Sequence, residues 1–446
     1  MRRRCSGWAT LAATVLVGAA VGAPGAVAAE NPVLAVQPNG TAHIGWMDFD
    51  GEANVLKERS RTSLGTLSPA QWVSPAGAGL FGLPDLAVAA DGSGNALYVW
   101  NRLGDPGAIQ IRRRAADGAL GAVQTVSSAG GYASRPDVAL DGPGNAVIVW
   151  SGSSGDTSVP TVIKARRRSA AGVLGPVMSL SPAADEVGEA RVAIDSSGGA
   201  LAVWSRTDGD GEARHGVVEL RRIAPNGTLG PVTPVSSPGV RAGAPRVGLD
   251  ADGDAIIAYV EHDGTRYTPR IRRRTAAGVL SAPQSPVTSG ASVAELDLAV
   301  VPDGRSMLTW TRPVGSSSST LQALHRAADG TLGPVLTLSS TAAGAFAVHH
   351  DAAVDPQGNG AVVWMSSSGI RLRRRAADGT VSLAQQLSAV GVPSADPRIG
   401  FDAAGTALAV WESRRRDDST DTFIEAVHAR RVSPTGQLGV IQTLGQ

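Results

Sequence analysis

The 446-residue chain carries 40 Lys and Arg against 39 Asp and Glu, which lacks the basic excess that nucleic acid or an anionic membrane demands of a main partner. Its one cysteine, Cys5, excludes intramolecular disulfides and multi-thiolate metal sites. Gly (55) and Pro (27) are frequent, and long apolar stretches of helical period are absent after residue 30, so the chain reads as short strands separated by turns.

Residues 1–29 have the pattern of a secretory signal peptide. Arg2, Arg3 and Arg4 form a basic start, an apolar stretch runs from Ala9 to Val21, and small residues around Ala26 to Ala29 set cleavage before Ala29 or Glu30. The apolar run is shorter than a bilayer span needs. The expectation is a secreted, extracellular chain with no membrane contact after cleavage and a net charge of about −2.

From residue 30 onward one phrase recurs. An aromatic residue closes it eight times: Trp46, Trp100, Trp150, Trp204, Tyr259, Trp310, Trp364 and Trp411. Nine residues before each stand Gln37, Asp91, Asp141, Asp195, Asp250, Val301, Asp355 and Asp402, and six before each stands a Gly. Spacings of 47 to 55 residues between the aromatics point to a propeller or solenoid.

The third unit shows the predicted elements in order. A first strand, "PDVAL" (136–140), leads through a D-x-x-G turn to a second, "NAVIVW" (145–150), apolar on both faces as a strand sandwiched between sheets should be. A third strand, "TVIKARRR" (161–168), leads through "SAAG" to a fourth, "LGPVMSL" (174–180). Four antiparallel strands per unit, radially arrayed, make the blade of an all-β, eight-bladed β-propeller. Residues 30–446 are then a single domain of eight repeats of about 52 residues, closed by side-chain packing between blades one and eight. Seven blades is the alternative, because unit one has Gln37 for Asp and "KERSR" for an Arg triplet.

These landmarks resemble the repeats of secreted bacterial β-propellers in the broad WD-repeat-like superfamily. Ala139, Asp141, Gly144 and Trp150 are also similar to the tryptophan docking motif of eight-bladed quinoprotein dehydrogenases, with Asp and Trp one residue further apart and the Gly one residue early. Asp195, Gly198 and Trp204 resemble, more loosely, the Asp boxes of sialidases. The resemblance implies a blade design, with Asp, Gly and Trp tying neighbours together, and reaches neither family's active site.

A residue held in every blade serves every blade, so the recurring phrase is scaffold. Consecutive Arg residues at 112–114, 166–168, 272–274 and 373–375 alternate between strand faces and are expected to pair with turn aspartates rather than to form one anion patch. Function belongs where the repeat breaks: in the loops after each Trp and the links to each next first strand, all on one face. There the first strands of blades three to eight begin with Asp137, Arg191, Arg246, Asp297, Asp351 and Arg398, which should ring the channel mouth. Mixed sign suits a polar or zwitterionic ligand more than a polyanion, with Arg191, Arg246 and Arg398 holding a carboxylate or sugar.

"HHD" (349–351) and the acidic loops with Asp48, Asp50, Asp208, Asp210 and Glu212 are weak metal signals; no cofactor is expected, with Ca²⁺ the one ion the loops suit. No G-x-S-x-G, H-E-x-x-H or phosphate-binding Gly loop is present, so no catalytic residue is assigned. The expected function is recognition of a polar small molecule, glycan or protein by a monomeric propeller. The alternative is an extracellular enzyme of the sialidase, lyase or lactonase sort, which predicts buried acids of perturbed pKa at the mouth.

Overall fold

The computed structural model describes residues 30–445 apart from 77–85, 103–106, 129–130, 154–160, 185, 209–214, 288–291, 316–317, 343–344 and 418–421. The proposed signal segment, Asp210 and Glu212 fall outside the described residues. Eight antiparallel sheets follow one another along the chain, each built from consecutive strands, and together they form an eight-bladed β-propeller. Among the described residues there is no helix.

Blade three is close to expectation, with strands Ala133–Leu140, Ala146–Gly152, Val162–Arg168 and Leu174–Ser179. The fourth strand is longer in blade eight, Leu438–Gly445, and only two residues in most others, such as Gln71–Trp72 in blade one, while blade five has three strands plus a bridge between Ile271 and Gln284. Pro283 and Pro286 flank that bridge and can donate no ladder hydrogen bond. Blade one is a complete four-stranded sheet, which rules out the seven-bladed count.

The second strands are the core. Ala146 to Trp150 are all buried, and Trp46, Trp100, Trp150, Trp204, Trp310 and Trp411 are almost wholly shielded from water. Each apolar cluster joins two neighbouring blades; Trp204 sits among Val147, Val149, Ile163 and Ala165 of the blade before it. The D-x-x-G turn does two jobs. Oδ1 of Asp141 accepts the Asn145 amide at 2.7 Å while Gly144 supplies a φ of 94°. Gly144 also lies against the preceding blade, where a Cβ would come within 2.8 Å of Oδ2 of Asp91.

The Arg runs stitch blades together, but mostly through main-chain carbonyls. The first Arg of the run in blade four, Arg221, donates from Nε to the Gly230 carbonyl at 2.7 Å and from Nη1 to the carbonyls of Ser179 and Leu180 in blade three, each at 3.1 Å. Arg112, Arg166, Arg272, Arg373 and Arg430 make the same clamp. The expected pairing with turn aspartates is limited to the second position, where Arg222 meets Asp195 at 2.5 Å and Arg273 meets Asp254. A strand edge at a blade's rim offers unpaired carbonyls, and a guanidinium satisfies several of them from one stem.

Ring closure repeats two features of the internal junctions. Gln442 donates to the Gly65 carbonyl at 2.9 Å, as Gln124 does to Gly172 at 2.8 Å. Trp46, Ala42 and Ile44 of blade one share an apolar cluster with Leu408, Val410 and Val427 of blade eight. Among the described residues no strand is exchanged between the two.

Candidate functional site at the channel mouth

The innermost strand of each blade runs from the variable-loop face down the channel. Its lower half is apolar with small residues at the position two before the turn Asp: Ala139, Ala193, Gly248, Ala299, Ala353 and Gly400. Its upper end is irregular. The pairing register slips between Val149 and Ser151, between Gly243 and Arg246, and at the same place in blades one, four, six, seven and eight. The extra residue is left-handed in six of these bulges: Asn31, Arg135, Ala244, Glu295, His349 and Asp396, with φ from 45° to 55°. Non-Gly residues seldom adopt this conformation, and such bulges re-aim side chains.

Two charged tiers result. The lower is the predicted ring of Asp137, Arg191, Arg246, Asp297, Asp351 and Arg398, all half-buried. The upper contains Arg135, Glu189, Glu295, His349 and Asp396, of which sequence reasoning singled out only His349, as a weak metal signal. Its signal was the X-Pro pair at four strand starts, where Pro32, Pro136, Pro245 and Pro397 follow the bulged residue.

The three aspartates of the lower ring are latches. Oδ2 of Asp137 accepts the Val192 amide at 2.9 Å, Oδ2 of Asp297 the Ala352 amide at 3.0 Å, and Oδ2 of Asp351 the Ile399 amide at 2.7 Å. Each ties its inner strand to the next and leaves its second oxygen for other partners.

The three arginines do not converge. Arg191 and Arg246 stand with Arg135 around Glu189 and Asp137, whereas Arg398 lies near Asp351, Asp396 and His349. Arg191 pairs with Glu189 at 2.7 Å, Arg246 is a loose 3.9 Å from Asp297, and Arg246 and Arg398 each donate to the carbonyl of the proline before them. The mouth therefore divides. Blades three to five present three Arg with two acids, and blades six to eight present Glu295, Asp297, Asp351 and Asp396 with Arg398 and two His.

Protonation follows this division. Burial lowers the Arg246 pKa, with the neighbouring Arg191 charge adding to it. For Glu189 burial is outweighed by Arg191, Arg246 and Arg135, which hold its carboxyl below the usual range. On the acidic side, burial and then the Asp297 charge push Asp351 up to about 7. His349 is raised by its hydrogen bond to Asp396 (Nδ1 to Oδ1, 2.7 Å). Just outward, burial and the Asp396 charge push Glu412 up to about 8.

Among the described residues the metal signals do not assemble. His349 faces Asp396, while the buried His350 turns to Glu295 at 3.6 Å. Asp48 is buried and paired with Lys57 at 2.9 Å, and Asp50 caps its own turn through Glu52 and Ala53. Among the described residues no group of three His, Asp or Glu is placed to hold a metal. A Ser413–His428 hydrogen bond of 2.7 Å resembles a nucleophile and its base. It occupies the cross-strand place filled by Asp48–Lys57 in blade one and Glu261–Arg270 in blade five, so it belongs to the blade design.

No family model matches the chain, and no curated protein matches it in sequence. Solved structures do. The BP39L lectin from Burkholderia pseudomallei superposes with a TM-score of 0.53 over 94% of this chain and 99% of its own, at 13% identity. A PL25 ulvan lyase superposes with a TM-score of 0.54 over 82% and 98%, at 10% identity, and its complex with -[GlcA(1-4)Rha3S]- with 0.53. The likeness is one of fold.

Proposed function

We propose that this protein is a secreted glycan-binding propeller whose site is the channel mouth. The observation that carries this reading is the division of the mouth into a basic and an acidic half. An acidic saccharide would set its carboxylate against Arg191 and Arg246 and its hydroxyl or amino groups against Asp297, Asp351 and Asp396. Charge-assisted bonds of this kind orient a ligand as well as hold it. The lectin and the lyase complex with a saccharide have the same architecture, which supports the class of ligand but no residue. A glycan array with Arg246→Ala and Asp297→Asn as paired controls tests it. Hits weakened by both variants support the mouth; hits unchanged in both remove it.

One observation favours a second reading, a glycan-processing enzyme. Asp351 and Asp297 interact closely enough for one to raise the other, and a carboxyl titrating near 7 is suited to proton transfer. Release of reducing ends or unsaturated uronates from acidic polysaccharides, abolished by Asp351→Asn, would establish it. Binding without turnover leaves the lectin-like reading.

A further inference from the structure

In six blades the first arginine of the third-strand run clamps carbonyls of its own hairpin and of the blade before. Blade six has Leu324 there, and blade one has Arg59. Arg59 faces blade eight, where Thr443 and Leu444 stand in the place of Ser179 and Leu180. It clamps nothing: its Nε is shut off from water with no hydrogen-bond partner. A buried N–H on a cation without an acceptor is costly, and six sister arginines satisfy the same group.

An open cleft of about 290 Å³ lies in the seam at this place, with Trp46, Asp48, Lys57, Arg59, Thr443 and Gly445 among its walls. Beside it stands Trp72, which unlike the seven tryptophans that close the repeated phrase lies outside the repeat. Trp72 pairs directly across from Lys57, so the two share the blade face that looks toward blade eight. The Lys57 ammonium lies 4.7 Å above the Trp72 ring, and Trp72 is 39% exposed. Other blades carry Thr125, Ser179, Pro234, Thr337, Gln386 or Thr443 at this position. Asp48 already neutralises Lys57, so the unmet demand for an anion is that of Arg59.

A half-exposed indole adjoining, through Lys57, a cleft walled by an unpaired guanidinium and a lysine–aspartate pair matches a pyranose ring with an anionic substituent. We propose that the seam between blades eight and one is a binding site for an acidic saccharide unit, with the sugar ring on Trp72 and its carboxylate or sulfate on Arg59. This site is separate from the channel mouth and stands or falls independently of it.

The test uses the full chain with ¹⁵N-labelled tryptophan. The Trp72 indole N–H is assigned by its loss in Trp72→Phe, and the protein is titrated with methyl β-glucuronide, a sulfated methyl glucoside and neutral methyl glucoside. The expected result is a shift of the Trp72 resonance with at least one anionic glycoside, at least tenfold tighter than with the neutral one. Arg59→Ala should bring the anionic ligands to the neutral level with an unchanged unfolding curve, and Arg246→Ala at the mouth should leave the shift as it is. A preference for carboxylate or for sulfate names the substituent. The proposal is overturned if Trp72 does not respond to either anion, if the neutral glycoside binds equally, or if Arg59→Ala binds as the wild type does.

Discussion

Replacing Arg221 by Ala isolates the clamp that joins blade four to blade three. The guanidinium makes three hydrogen bonds, at 2.7, 3.1 and 3.1 Å, to the carbonyls of Gly230, Ser179 and Leu180. Hydrogen bonds contribute roughly 0.5–1.5 kcal/mol each in net terms, and a half-buried donor that keeps part of its hydration falls toward the lower end. The expected loss is about 2 kcal/mol, with Arg221→Lys recovering less than half of it because an ammonium lacks the planar fork. Arg59→Ala is the internal comparison. The same residue type at the equivalent place makes no such bond, so its removal should cost less than about 0.5 kcal/mol. Urea titrations followed by tryptophan fluorescence measure both. Equal losses in the two variants, or no loss in Arg221→Ala, would refute the assignment of the clamp to carbonyl hydrogen bonds.

Trp204→Ala, which empties a fully buried site and removes the indole donor 3.1 Å from Glu219, should cost about 3–5 kcal/mol by the same titration. Gly144→Ala should destabilise by more than about 1 kcal/mol, because its φ is 94° and its Cβ would crowd Oδ2 of Asp91; a neutral result would contradict the turn geometry. The Glu412 pKa is raised on folding to about 8. Its carboxyl therefore favours the folded state while protonated, and stability should fall as pH rises from about 4.5 through 8 and level off above. Glu412→Gln, which keeps an acceptor for the Asn31 amide, should match the wild type at pH 4 and exceed it at pH 9. Identical pH profiles for the two proteins would mean that Glu412 ionises normally.

The wheel was legible because its landmarks are steric. Gly144 and its seven counterparts must reach positive φ, the aromatics must fill the gap between sheets, and both demands recur at fixed spacing. The partners of the Arg runs were not legible, since acceptors on the main chain leave no trace in side-chain identity. A second repeated signal was available at the end of six of the eight fourth segments, where Val or Leu precedes Ser. Ser74, Ser127, Ser181, Ser236, Ser339 and Ser388 each accept the amide of a third-strand residue 18 positions earlier. At the mouth the upper tier did not follow from the spacing to the turn Asp that marks the lower ring. The bulge that exposes it inserts one residue without a glycine to mark the left-handed turn. The grouping of Arg191 with Arg246, and of Arg398 with the acids, depends on blade order around the disc and on which neighbour each side chain leans toward.

A hoop built from like segments fails first at its weakest joint. Gln442, Gly65 and the Trp46 cluster hold the two ends of this chain together, while the guanidinium clamp found at other joints is absent there. The joint between blades five and six, where Leu324 replaces the arginine, lacks the clamp as well, but it is joined within a continuous chain, so opening that separates the two ends should start between blades eight and one. A circularly permuted chain, with these ends fused and new ones cut between blades three and four, would move the first rupture to a different place on the rim.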